Sequence, residues 1–337
     1  MSIFYHDRIH GLISIVCLSA LLSACSIDGQ PQPSTERAAA VNQSLKSALE
    51  LPVPEVSQVA SYLYQRDYQG LEDLYNTCFV NYQNDAAYET PLKLGYDLFQ
   101  PSSGIDKADL DAWVEATGSA IAYTARGFYM MTAATDARGG NFTSKTSKNR
   151  LLATRNMSNY AAEDLQKATE LDPNLTPAWM GLIRVGMINS TSFTPDDIFE
   201  QAIKHDCRSF YLRQQYMLSL QPRWGGSSEA MLGFAQFCLE DLDKNPRFWV
   251  LQGDAYSDVA DAFTWQGDYE KAVEMYSTAL LYGDKLSTLQ YRAYSLQKCG
   301  RDDEAERDLR TILSYDPSHR AATAMLNQIL SKHANKG

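Results

Sequence analysis

The chain has 337 residues and a formal net charge of −11, with 41 acidic against 30 basic side chains. This length is enough to bury one large core or two ordinary ones. The acidic excess argues against a nucleic-acid ligand, which is bound mainly by neutralising phosphates with lysine and arginine, and against direct adhesion to anionic membrane surfaces.

The first 24 residues have the pattern of a secretory signal peptide. Arg8 precedes an apolar run over residues 12–22, and the small residues Ser23 and Ala24 stand directly before Cys25. Counted from Leu12 to Ala24, the apolar stretch is about 13 residues long, whereas a membrane-spanning helix needs roughly 20. The motif Leu-Ser-Ala-Cys resembles a bacterial lipoprotein signal, in which the peptidase cuts before the cysteine and the cysteine carries the lipid.

This resemblance implies that residues 1–24 are removed and that Cys25 is the lipid attachment site. Several acyl chains hold a protein on a membrane durably, so the lipid alone would provide the membrane contact. Because Ser26 follows the cysteine where an aspartate would signal inner-membrane retention, the resemblance implies the periplasmic face of the outer membrane. The polar, proline-rich start of the mature chain predicts a flexible lipid-anchored tether over residues 25–50.

Helical spacing of apolar residues dominates the rest of the chain. Residues 51–150 are predicted to form an N-terminal helical region, with a helical pair over 55–82 and one long helix over 118–138. Residues 151–320 are predicted to form repeats, and residues 321–337 to be the end of a last helix and a tail.

A repeat is the decisive pattern in this region. A large apolar residue is followed three positions later by a small or apolar one at Leu165/Ala168, Phe199/Ala202, Leu232/Ala235, Tyr276/Ala279 and Leu309/Ile312. Successive pairs are 34, 33, 44 and 33 residues apart, and the step of 44 is explained by a lengthened first helix over 247–266. The period resembles that of the tetratricopeptide repeat, a helix–turn–helix unit that is stable mainly when stacked. We therefore expect an all-α fold, a solenoid of tetratricopeptide-like helical hairpins.

Several motifs over residues 56–241 resemble a bacterial family known only as a domain of unknown function. They include Ala125-Arg126-Gly127, Gly181-Leu182-Ile183-Arg184 and, most distinctively, Pro222-Arg223-Trp224-Gly225-Gly226-Ser227. The resemblance implies a helical, repeat-like fold and no particular reaction.

The segment 222–227 lies where the turn inside one repeat is expected, and it has two interpretations. In the structural one, Trp224 packs over the turn, the two glycines permit tight bends and Ser227 caps the next helix. In the functional one, Arg223 and Trp224 form an exposed loop that contacts a partner. Both remain open at this point.

Four cysteines besides Cys25 are left in the exported chain: Cys78, Cys207, Cys238 and Cys299. An oxidising compartment permits disulfides, and four cysteines allow three pairings. Buried cysteines also serve as small apolar residues, so the sequence leaves both possibilities open.

The sequence predicts no catalytic, metal-binding or cofactor-binding residue, because the motifs that would place such chemistry are missing. In tetratricopeptide arrays the first helix of each unit lines a concave face, and mixed charge with aromatic residues on that face suits a peptide or a partner helix. The candidate groove residues are Arg184, Arg213, Asp254, Asp261, Trp265, Tyr294 and Lys298.

The function expected from these patterns is that of a non-enzymatic adaptor. A lipid-tethered helical array would bind a peptide or helix of another envelope protein in its groove. The alternative is an envelope enzyme of unknown reaction with its site in the N-terminal helical region, around residues 113–138. A third possibility is a structural protein that associates with itself.

Overall fold

The structure, a computed structural model, describes residues 31–140, 145–188 and 193–334. The predicted signal peptide and Cys25 therefore lie outside the described residues. The described part contains sixteen α-helices and no strand, so the chain is all-α, as predicted. The helices are α1 (Thr35–Leu49), α2 (Val56–Gln65), α3 (Tyr68–Asn84), α4 (Glu89–Asp97), α5 (Lys107–Thr117), α6 (Ala120–Arg138), α7 (Lys148–Leu171), α8 (Thr176–Ile188), α9 (Pro195–His205), α10 (Phe210–Ser219), α11 (Ser228–Cys238), α12 (Asp254–Gln266), α13 (Tyr269–Leu280), α14 (Leu286–Lys298), α15 (Asp302–Tyr315) and α16 (Arg320–Ala334).

Five short 3₁₀-helices connect them, at Ala86–Tyr88, Pro101–Ser103, Pro222–Trp224, Leu239–Asp241 and Pro246–Gly253. The last of these corrects one expectation. Residues 247–266 were predicted to form one lengthened α-helix, whereas the first part of that segment is 3₁₀-helical and only α12 is α-helical. Gly253 lies at the change, where a Cβ would stand 2.5 Å from the carbonyl oxygen of Ala279. This position has no room for a side chain, because the backbone passes directly against the end of α13.

The helix ends follow local signals in the sequence. Arg66 adopts a left-handed conformation (φ 56°) between α2 and α3, and Asp67 caps α3 by accepting a hydrogen bond from the backbone N–H of Gly70 at 3.0 Å. Thr194 and Asp197 form a reciprocal capping box at the start of α9. These contacts satisfy backbone donors that a helix start leaves free.

The repeated anchor residues form the interior. All ten side chains of the five predicted pairs are buried, in α7, α9, α11, α13 and α15. Every second helix from α7 onwards therefore directs a large and a small or apolar residue into the core. The small members allow neighbouring helices to approach closely.

Helices α12–α16 pack mainly on their neighbours in the chain, whereas the earlier part is more intertwined. There α4 lies in the middle and contacts α1, α3, α6, α8 and α10. The predicted boundary at residue 150 is not a structural one, because α6 and α7 stand on either side of it and form an extensive helical pair. The C-terminal segment is also more regular than predicted, since α16 is a full helix that buries Ala322, Leu326 and Ile329.

The predicted tether is shorter than expected. Residues 35–49 form α1, which packs against the 3₁₀ segment Pro246–Gly253 and buries Val41 and Ala48. The Arg37 guanidinium lies 4.7 Å from the centre of the Trp249 ring, and Asn42 accepts a hydrogen bond from the backbone N–H of Asp284 at 2.6 Å. These long-range contacts order a segment whose polar composition alone suggested flexibility.

Two further observations concern disulfide bonds and membrane-spanning helices. Cys78, Cys207, Cys238 and Cys299 are all free thiols in the structure. In the part of the chain that the structure describes, no helix combines the length and the apolar character needed to span a bilayer.

Candidate functional site

A cavity of about 230 Å³ opens between the turn after α10, helix α12 and the start of α14. We call it the acidic cleft, because three aspartates of α12 line it. Its walls are formed by Met217, Leu218, Gln221, Arg223, Met231, Asp254, Ser257, Asp258, Asp261, Thr264, Trp265, Tyr276, Lys285, Ser287, Thr288 and Tyr291.

One face of α12 supplies the acidic groups. Asp254, Asp258 and Asp261 follow one another at intervals of four and three residues, which brings their side chains to the same side of a helix. Trp265 continues this face one turn further and is 64% exposed. Asp254 is the first residue of α12 and directly follows the 3₁₀ segment Pro246–Gly253.

The three carboxylates differ in their partners. Asp254 is 5% exposed, and its Oδ1 accepts a hydrogen bond from the Lys285 ammonium at 2.7 Å, whereas its Oδ2 is buried without a hydrogen-bond partner. Asp261 accepts a hydrogen bond from the Tyr276 hydroxyl at 2.6 Å. No ion pair among the described residues includes Asp258. The cleft thus keeps acceptor capacity that the protein does not use itself.

Burial and crowding change the protonation of these groups. Burial raises the pKa of Asp258 to about 6, with the neighbouring carboxylates of Asp261 and Asp254 adding to the effect and the Arg223 guanidinium opposing it. Burial also raises the pKa of Asp261, although the hydrogen bond from Tyr276 opposes that shift. Such perturbed carboxylates in a cleft are typical of functional sites.

The opposite wall contributes cations that are already engaged. Arg223 donates from Nε and Nη2 to the Gln221 side-chain oxygen at 2.9 and 2.7 Å. Lys285, in the connection between α13 and α14, is held by Asp254. Tyr291 on α14 is 47% exposed and stacks on Tyr276 with 6.5 Å between ring centres. The rim of the cleft therefore offers two accessible aromatic rings, Trp265 and Tyr291.

The turn 222–227 has the glycine bend and the serine cap of its structural interpretation. Gly225 has a φ of 97°, and Ser227 caps α11 by accepting a hydrogen bond from the backbone N–H of Ala230 at 3.1 Å. Arg223 is exposed and faces the cleft, whereas Trp224 is half-buried and lies 5.8 Å below the Arg138 guanidinium of α6. The expected Arg223–Trp224 contact loop is thus divided between a cleft residue and a packing residue.

The structure brings together Asp254, Asp261 and Trp265 of the predicted groove. The prediction that Arg213 lines this groove is wrong. Arg213 has no exposed surface: it forms an ion pair with Asp241, and its guanidinium lies 4.1 Å from the centre of the Phe248 ring. A fully buried arginine cannot contact a partner in a groove. It instead ties α10 to the segment that follows α11.

The other predicted groove residues, Arg184, Tyr294 and Lys298, do not line the acidic cleft. Arg184 on α8 is half-buried, and burial lowers its pKa. On α14, the Lys298 ammonium lies 5.2 Å from the centre of the Tyr294 ring.

Three further residues that line the cleft were not predicted from the sequence: Asp258, Lys285 and Tyr291. The helical spacing between Asp254 and Asp261 could have revealed Asp258, because it lies on the same face. Lys285 lies in a connection, where periodicity gives no signal.

The N-terminal region around residues 113–138 is mainly core. Trp113 is fully buried beside Tyr75 and Phe99, and its ring N–H donates to Glu72 at 2.9 Å. The two carboxylates within 113–138, Glu115 and Asp136, are both exposed. In the described residues, no group of three histidine, cysteine, aspartate or glutamate side chains could hold a metal ion.

Comparison with models of protein families and with curated proteins finds no match to this chain.

Proposed function

We propose that the protein is a non-enzymatic adaptor that binds a polypeptide segment of another envelope protein in the acidic cleft. The observation that carries this proposal is the cleft itself, in which unused carboxylate acceptors lie beside two exposed aromatic rings. Aromatic anchors surrounded by polar groups are typical of protein-binding surfaces. At about 230 Å³ the cleft is smaller than the roughly 300–1,000 Å³ of pockets for drug-sized ligands, so it suits one or two side chains of a larger partner.

A tetratricopeptide-like array would present this cleft. Burial of all five anchor pairs supports the repeat, and so does a recurring ion pair. Arg126 donates from Nε and Nη2 to both oxygens of Asp164, at 2.8 and 2.7 Å, and Arg292 makes the same double contact with Asp308, at 2.8 and 2.6 Å. In each case the aspartate directly precedes the large anchor residue. The same kind of ion pair therefore holds together the two helices of the hairpin α6–α7 and the two helices of the hairpin α14–α15.

The packing of α12–α16 on their chain neighbours is what stacked hairpins require. The α4-centred N-terminal part would then act as the cap that closes one end of the array. Terminal units of repeat proteins are commonly atypical, because they must cover a surface that has no further neighbour.

The anchor belongs to the same proposal. We infer from the motif that ends in Cys25 that lipid holds the adaptor on the periplasmic face of the outer membrane. Cys25→Ser should move the protein from the membrane fraction to the soluble fraction and abolish labelling with radioactive palmitate. A Ser26→Ala variant is the matched control and should stay membrane-bound. Retention of the Cys25→Ser protein in membranes would contradict lipid anchoring.

Site-specific photo-crosslinking in intact cells tests the binding function. A photoreactive residue at Ser287, which is exposed and lines the cleft, should form a discrete adduct with an envelope polypeptide. The same residue at Tyr160, which is exposed on α7 and does not line the cleft, is the control position and should not.

A second substitution ties the adduct to the cleft. Trp265→Ala should abolish the adduct formed from position 287, whereas Leu330→Ala, a change of another exposed side chain on α16, should not. Absence of an adduct from position 287, or an equal one from position 160, would overturn the proposed function.

A further inference from the structure

Asp258 is the starting point for identifying what the cleft binds. It is half-buried in the wall of the cavity, and no ion pair among the described residues includes it, whereas Asp254 is held by Lys285 and Asp261 by Tyr276. A partly buried charge without a partner costs free energy, so a cation that enters the cleft would meet a carboxylate that the protein leaves open.

We infer that the cleft recognises a basic side chain, lysine or arginine, carried by the partner segment, which the carboxylate of Asp258 receives. This inference rests on the proposed function and names the chemistry of its partner.

The charges that line the cleft favour a cation. Three carboxylates stand against two basic groups, Arg223 and Lys285, and both basic groups are already bonded, to Gln221 and Asp254. Of the carboxylates, Asp261 receives a hydrogen bond from Tyr276, whereas no ion pair among the described residues engages Asp258. One negative charge is therefore uncompensated within the cleft, and the Asp258 carboxylate remains available to an incoming donor.

The aromatic side chains of the cleft also suit a basic residue. Trp265 and Tyr291 are exposed at the rim, where a cation is attracted to an aromatic ring. The chain's net charge of −11 also steers basic partners towards it. A polypeptide satisfies all of these features, because its backbone can lie on the exposed rim while one side chain enters.

Binding of matched peptides to the full-length protein tests the inference. The probes are short, dye-labelled, end-blocked peptides with uncharged flanks and a central arginine, lysine or citrulline. Citrulline has almost the shape of arginine and no charge. By fluorescence anisotropy, we expect the arginine and lysine peptides to bind at least about tenfold more tightly than the citrulline peptide, because a charge-assisted hydrogen bond is lost.

Variants locate the effect. Asp258→Asn should weaken the arginine peptide by about tenfold and leave the citrulline peptide unchanged. Asp243→Asn removes an exposed charge that does not line the cleft and should change neither. Circular dichroism should show that both variants are folded like the unaltered protein. Equal binding of arginine and citrulline peptides, or an equal effect of Asp243→Asn, would overturn the inference.

Two further results separate this inference from the proposed function. If the adduct from position 287 persists in Asp258→Asn cells but is lost in Trp265→Ala cells, the adaptor function holds and cation recognition is wrong. If free spermidine displaces the dye-labelled arginine peptide at concentrations that match the peptide's own affinity, the ligand is a small amine and the polypeptide source is wrong.

Discussion

Gly226 fixes the turn that brings Arg223 to the acidic cleft. A Cβ at this position would stand 2.0 Å from the carbonyl oxygen of Leu220, which is backbone and cannot move aside easily. Gly226→Ala should therefore destabilise the protein by about 3 kcal/mol, measured by urea unfolding. Gly233 in α11 is the matched control, since a Cβ there meets nothing within 4 Å. Gly233→Ala should stabilise the protein by about 0.5–1 kcal/mol, and equal effects of the two changes would contradict this account.

The Asp258 carboxylate should lower the free energy of unfolding at neutral pH, because its pKa is raised in the folded protein. The pKa is about 6 in the folded protein and about 4 in an unfolded chain. Between these values the folded state binds more protons, so this group makes stability fall as pH rises from about 4 to about 6, and the loss is complete above 6.

Asp258→Asn should therefore increase the free energy of unfolding near neutral pH by on the order of 1 kcal/mol, and the gain should vanish near pH 4. Urea unfolding at several pH values measures this, with Asp243→Asn as the control that should show no such dependence. A pH-independent effect of Asp258→Asn would contradict a raised pKa of Asp258 in the folded protein. Stability that is lost where binding is gained is a known trade-off at functional sites.

Individual side chains show how far the sequence could define the site. Asp254, Asp261 and Trp265 were identified because helical spacing places them on one face of α12. Arg213 was misplaced because the same spacing argument cannot tell a solvent-facing arginine from one buried against Phe248 and Asp241. The distinction depends on helices that come together only in the fold.

At the scale of the element, most helix ends were predictable because they depend on neighbours in the chain. The cap at Thr194, the turn at Arg66–Asp67 and the stop before Pro173 are all local signals. Helix α1 was missed because its sequence carries few large apolar residues and its order depends on contacts with Trp249 and Asp284, far away in the sequence. The 3₁₀ segment before α12 was missed for the same reason, since the close approach of Gly253 to Ala279 is long-range.

Helix α1 should detach when its buried face is charged. Val41 is buried against the connection that contains Gly283, and Val41→Asp would place a carboxylate there without a partner, at a cost of at least about 2 kcal/mol. We expect amide hydrogen exchange in α1 to accelerate, while exchange in α12–α16 is retained. Ala40→Asp, one residue earlier and exposed, should leave the exchange of α1 unchanged. Unaltered protection of α1 in the Val41→Asp protein would contradict the docking.

At the scale of the whole molecule, the all-α class and the burial of the anchor residues could be predicted from periodicity, but the arrangement of the N-terminal part could not. Its organising helix, α4, contacts five other helices because residues such as Leu92 and Tyr96 are buried on several sides. The sequence of this nine-residue helix does not indicate how many other helices will pack around it. A repeat predicts its own packing, since each unit meets the same neighbour, whereas an irregular cap has no such rule.

The cleft and the charge of the molecule together predict a pH-dependent affinity. Asp258 faces Asp254 and Asp261 on its own helix, and Arg223, Lys285, Tyr276 and Tyr291 across the cleft. Among these groups the carboxylates of Asp258 and Asp261 have raised pKa values, and their protonation removes the charge that attracts a basic side chain. Arginine keeps its own charge throughout, so any change comes from the protein.

Affinity for the arginine peptide should therefore be constant above about pH 7 and fall below about pH 6, by up to about tenfold in total, which is the loss expected for Asp258→Asn. The citrulline peptide should show no such fall, and Asp258→Asn should flatten the curve of the arginine peptide because the titrating group is gone. Fluorescence anisotropy between about pH 5 and 8 measures all three curves. The comparison between wild type and variant isolates Asp258 from every other group that titrates in this range, because those groups are common to both proteins. A fall of the same size in the Asp258→Asn protein would assign the pH dependence to another part of the molecule.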